Sequence, residues 1–125
     1  MTSIIYNSAL EGLAKDTMDF VRDRFLVTLV HSDYIPDKNH RVVGEVFPLL
    51  GFPKTVNVAV NSDLKRNRME IELGEAEWPG ITVSAAGAIY YDETGQLVAF
   101  IDFGRNVSAT NGLFSLTAST LRLQN

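Results

Sequence analysis

Two histidines, His31 and His40, bracket a stretch that also holds Asp33 and Asp37, the composition a metal site would need. Nothing in the spacing forces these four to converge, so the expectation is one histidine near a strand end, the other in a loop, and no metal. Carboxylates that could work as an acid–base pair are numerous: Glu70, Glu72, Glu75, Glu77 and Asp102. Glu70 and Glu72 fall on the polar side of an alternating segment, where solvation accounts for them. Asp102 stands inside an otherwise apolar run, where an unpaired buried carboxylate would be costly. It is expected to be a strand-end residue that meets solvent or Arg105, with an acid or an interface salt bridge as the alternative. No Gly-x-Ser-x-Gly and no Gly-x-x-x-x-Gly-Lys occurs, so neither motif-bearing nucleophile nor phosphate loop is present. No cofactor is expected, and the reading is of a protein that is not an enzyme.

Groups suited to contact remain. Lys65, Arg66 and Arg68 form the one basic cluster, in a loop between two strand-like segments; a solvated loop or a contact with an acidic protein surface both fit it. Without interleaved aromatics it does not resemble a stacking platform for bases. Trp78-Pro79 is either a core plug or an exposed anchor of the kind that concentrates interface energy, and Tyr6, Phe20 and Tyr34 carry the same two readings. The candidate interface residues are therefore Tyr6, Tyr34, Lys65, Arg66, Trp78 and Pro79.

The chain that must position them has 125 residues, 46% of them hydrophobic and 21% charged, enough apolar matter for the core of one domain spanning 1–125. A net charge of -4 has the wrong sign for a protein whose partner is a phosphate backbone. With no cysteine, disulfides and thiolate sites are excluded. The N-terminus shows no basic leader and apolar run, so no signal peptide is predicted. The mostly apolar stretch Gly87–Phe103 is broken by Asp92, Glu93 and Gly95, short of the ~20 residues of a membrane helix. The sequon Asn106-Val107-Ser108 is read as chance.

Ser8 and Glu11 have capping-box spacing and Leu10, Leu13 and Ala14 follow at helical intervals, predicting a helix over Ser8–Lys15. Phe25–Val30 is apolar on both faces, as a central strand covered twice would be. Ser32–Arg41 reads as a long loop of the kind that faces partners, and Val42–Leu50 as one helical turn at most. Lys54–Val60 alternates, with Val56, Val58 and Val60 on one face. Arg68–Leu73 alternates again, with Met69, Ile71 and Leu73 inward, so the two should pair as a hairpin. Gly74–Gly80 reads as a charged loop. A second hairpin joins Gly87–Tyr91 to Gln96–Phe103 through Asp92-Glu93-Thr94-Gly95, a type I turn closed by a left-handed glycine with the Asp92 side chain accepting a local bond. Both faces of this hairpin are apolar, so either the N-terminal helix or another subunit must cover the second one. Ser108–Gly112 reads as a turn, and the apolar parity of the tail switches near Ser119, which requires a bulge or break. The predicted fold is mainly β: an antiparallel β-sandwich or small barrel of seven or eight strands with one short N-terminal helix.

Three segments, Ile4–Lys15, Val27–Lys38 and Tyr91–Leu123, the last including Leu97-Val98-Ala99-Phe100-Ile101-Asp102-Phe103-Gly104 and Ser108-Ala109-Thr110-Asn111-Gly112, resemble small structural proteins of tailed bacteriophages and prophages. Gly51–Val60 departs from that pattern, being shorter and poorer in Gly and Ala. The resemblance implies a virion component made in the host bacterial cytoplasm, a head decoration or cement protein first and a neck, tail or fibre-associated protein second. It implies the major capsid protein or another virion protein as partner, a homo-oligomer such as a trimer, and neither nucleic acid nor membrane. It brings no catalytic residues. A small carbohydrate-binding or hydrolytic module is the third reading, and it would require Glu75, Glu77 and Trp78 to meet in one cleft.

Overall fold

The computed structural model describes residues 3–15, 23–63 and 68–124. The fold is mainly β, with one short N-terminal helix and two open antiparallel sheets, so of the two architectures left open by the sequence the sandwich-like one forms. The elements are β1 (Ile4–Ile5), α1 (Asn7–Lys15), β2 (Phe25–Val30), a 3-10 turn (Val43–Glu45), β3 (Leu49–Val56), β4 (Val58–Asp63), β5 (Arg68–Leu73), β6 (Ala76–Asp92), β7 (Leu97–Leu116) and β8 (Ser119–Gln124). The larger sheet has the order β1-β7-β6-β2-β3 and the smaller β4-β5-β8.

β2 lies between β6 and β3, in register from Phe25 opposite Asp92 to Val30 opposite Gly87, and all but Leu26 of its residues are buried. Alternation sends Phe25, Val27 and Leu29 to one face, with Ala88 and Tyr90, where they meet Val58, Ile71 and Leu73 of the smaller sheet. The other face presents Val30, Ile89, Tyr91, Leu97 and Phe100. Tyr6, Tyr34 and Val46 pack over it, Tyr34 from the Ser32–Arg41 stretch read as a partner-facing loop and Val46 from Val42–Leu50, read as one helical turn at most. Burial of side chains this large contributes about 1.5–3 kcal/mol each, which explains how a segment whose only regular element is one 3-10 turn stays in place. Backbone bonds strap it down: Asn7 N–H to Lys38 O at 2.9 Å, Leu97 N–H to Arg41 O at 2.9 Å and Val43 N–H to Gly95 O at 2.7 Å. The Arg41 guanidinium also pairs with the Glu11 carboxylate of α1 and holds that carboxyl below the usual glutamate range.

Four local readings are corrected. α1 starts one residue earlier, and Ser8 is not its cap: its buried hydroxyl donates to Leu97 O at 2.7 Å. Lys54–Val60 is not one strand. The chain breaks at Asn57 and passes from the larger sheet to the smaller, while its alternation survives the break, with Val56 and Val58 buried and Thr55, Asn57 and Ala59 exposed. Most of the predicted loop Gly74–Gly80, from Ala76 on, and all of the predicted turn Ser108–Gly112 lie within the β6–β7 hairpin. Gly80 and Asn111 sit at register shifts, between Trp78 and Ile81 and between Ile81 and Val83, because a long antiparallel ladder takes up such residues as bulges. The β4–β5 pairing, Val58 opposite Leu73 to Asp63 opposite Arg68, matches expectation, as does the break before Ser119.

Candidate protein interface

The Tyr6 and Tyr34 hydroxyls share a hydrogen bond of 2.6 Å, and Tyr34 bonds His40 Nδ1 at 2.8 Å, forming a chain from the core to the half-exposed imidazole. Burial pushes both tyrosine hydroxyls above their ordinary range. Both rings are inside, so neither offers area to a partner. Tyr34→Phe is expected to destabilise by about 2 kcal/mol, because it strands the Tyr6 hydroxyl in a dry site, and Tyr6→Phe by about 1 kcal/mol, because Tyr34 keeps His40. Thermal unfolding of the two variants measures the difference, and equal losses would mean that the chain of hydroxyls carries no coupling.

Trp78 is a core residue of β6. Its ring meets Phe114 edge-on, centroids 6.0 Å apart, and its indole N–H donates to Phe52 O at 2.7 Å. Pro79 beside it is exposed. Lys65 and Arg66, like Phe20, lie outside the described residues. Of the six candidates the fold therefore brings Tyr6 and Tyr34 together, buries Trp78 elsewhere, and leaves Pro79 at the surface.

Besides the scattered Ile35, Val42 and Leu113, the exposed large apolar side chains among the described residues gather in one stretch that sequence reading did not single out as an interface. Phe47 is 78% and Phe52 83% exposed, with Leu49 between them also exposed. They lie on the chain entering β3 and on β3 itself, an outer strand of the larger sheet. Here Val27 pairs with Lys54 but Leu29 with Leu50, so Gly51, Phe52 and Pro53 bulge out opposite Thr28 alone. Gly51 takes φ +75°, and a Cβ there would meet Ile81 Cδ1 at 3.0 Å; Pro53 supplies no backbone donor. The bulge and proline blunt this edge against strand addition, while the Trp78 bond holds the Phe52 backbone in place. His31 N–H to Pro48 O, 3.1 Å, ties the Phe47 end to the end of β2. A signal was present: residues 46–53 contain two Phe-Pro pairs and no charge.

The catalytic constellations do not assemble. His31 accepts the Asp33 N–H at Nδ1, 3.1 Å, and His40 faces Tyr34; among the described residues no group of three metal-ligating side chains occurs. Glu75 and Glu77 are exposed while Trp78 is buried, so these three form no cleft. Asp102 meets neither bulk solvent alone nor Arg105: one carboxylate oxygen accepts Gly104 N–H at 2.7 Å, and the other is buried without a partner among the described residues. Among the described residues no helix is long and apolar enough to cross a membrane. Compared with known proteins, the chain matches no family, no curated relative and no solved structure.

Proposed function

We propose that the chain is a structural component of a tailed-bacteriophage particle, a head decoration or cement protein that binds the assembled shell through the Phe47–Pro53 edge. The observation that carries this reading is the exposure of Phe47 and Phe52 on a backbone fixed by Trp78 and the end of β2. Large apolar side chains left in water on a rigid frame are what an interface uses as anchors, since little ordering remains to oppose binding. The resemblance to phage structural proteins supplies the partner, and its segments cover β1, α1, β7 and most of β2 and β8. A shell offers many copies of one site, so weak contacts multiply if the protein is itself a homo-oligomer.

Purified protein mixed with undecorated capsids is expected to co-sediment at micromolar concentration. A Phe47→Ser/Phe52→Ser double variant is expected to bind about thirtyfold more weakly, the equivalent of ~2 kcal/mol. Failure of the unaltered protein to sediment with shells overturns the reading. Localisation of the protein at the neck or tail of particles by electron microscopy would move it to that part of the virion.

A further inference from the structure

We propose that Asn111 is a site of spontaneous covalent modification, in which its side-chain amide is lost by ring closure onto the backbone nitrogen of Gly112. This inference does not depend on the virion reading. Of the chain's asparagines only Asn111 precedes a glycine, and glycine, lacking Cβ, gives the side-chain carbonyl carbon the least hindered approach to the next nitrogen. Strand order would normally oppose that approach, but the ladder is interrupted here. Ile81 pairs with Gly112 and Val83 with Ala109, so Thr110 and Asn111 together oppose Thr82. The Asn111 N–H is taken by the Thr82 hydroxyl, 2.9 Å, rather than by a backbone carbonyl. Asn111 adopts φ +47°, a left-handed conformation that asparagine tolerates better than other branched residues, and its exposed side chain makes no hydrogen bond among the described residues.

The step balances without any partner but water. A base removes the Gly112 N–H proton, the nitrogen bonds to the Asn111 Cγ, and the C–N bond of the side-chain amide breaks, releasing ammonia. Water then opens the cyclic imide at either carbonyl, giving aspartate or isoaspartate; both add a negative charge, and the second also lengthens the backbone by a methylene. A bulge already accommodates surplus backbone, so the modified chain is expected to stay folded and the product to accumulate with age.

The test is incubation of the full chain in warm, mildly alkaline buffer, followed by trypsin and mass spectrometry of the peptide between Arg105 and Arg122. That peptide contains Asn106 as an internal reference. Asn111 is expected to convert, with isoaspartate detected by enzymatic methylation, while Asn106 and the exposed Asn39 and Asn57 stay amidated. Gly112→Ala should slow conversion several-fold; a Cβ there meets only Thr110 O at 3.5 Å, so the variant is expected to fold. Conversion of Asn111 no faster than that of Asn106 in the same peptide overturns the proposal, as does an unchanged rate in folded Gly112→Ala.

Discussion

Gly87→Ala is expected to cost about 3 kcal/mol of stability and lower the melting temperature by on the order of 10 °C. Gly87 lies in β6 between Val30 of β2 and Asp102 of β7, at the middle of the larger sheet. A Cβ built there comes within 2.6 Å of both Ile101 O and Phe100 Cε2. One obstacle is backbone held by the β6–β7 ladder. The other is a ring buried among Tyr6, Tyr34 and Leu97 that meets Tyr34 edge-on. Neither can retreat without disturbing the cover of the sheet, and close-packed interiors absorb a surplus methyl poorly. Gly44→Ala is the matched control: nothing lies within 4 Å of a Cβ there. Differential scanning calorimetry should show a large loss for the first and little change for the second; equal melting temperatures would mean that the sheet yields at Gly87.

The parts of this fold that are legible in the sequence are those fixed by local chemistry. Period-2 alternation in Arg68–Leu73 and the turn residues of Asp92–Gly95 specify their structures without reference to distant residues. Gly80, Asn111 and Gly112 carry the same turn chemistry, yet they sit in the ladder of β6 and β7. There the pairing of some twenty residues outweighs a local preference, and the surplus conformations become bulges.

The aromatic residues are the sharper lesson. Three rings with polar tips, Tyr6, Tyr34 and Trp78, are buried with each tip partnered, by a second hydroxyl, an imidazole and the Phe52 carbonyl, while the Tyr90 hydroxyl is buried with no partner among the described residues. Phe47 and Phe52, wholly apolar, are outside. Hydropathy ranks them the other way. What decides is the register of β3 on β2, whose bulge throws Phe52 outward, and that register depends on contacts between residues far apart in the chain. The candidate interface was therefore readable only as an uncharged run with two Phe-Pro pairs, without a sign that it faces water.

Asp92→Ala is expected to cost about 3 kcal/mol, and Asp92→Asn roughly half as much, since hydrogen bonds to a charged acceptor are worth about 1.5–3 kcal/mol each and do not add fully when they share one oxygen. The Asp92 side chain is almost wholly buried, and its Oδ1 accepts three bonds: Thr94 N–H at 3.0 Å, Thr94 Oγ1–H at 2.6 Å and Gln96 N–H at 2.9 Å. These fix the tight end of the β6–β7 hairpin, where Gly95 takes φ +94° and its N–H bonds Asp92 O at 2.9 Å. The same few residues anchor other parts of the molecule. Gly95 O accepts Val43 N–H, Glu93 N–H bonds Arg24 O, and the Gln96 amide reaches Ser8 O at 3.1 Å. Loosening the turn should thus free the 31–46 segment from one face of the sheet as well as fraying the hairpin. Hydrogen exchange distinguishes this from a purely local effect. In Asp92→Ala the amides of Val43 and Leu97 should lose protection together with that of Gln96, whereas loss confined to Thr94 and Gln96 would show that the turn and the cover are held independently.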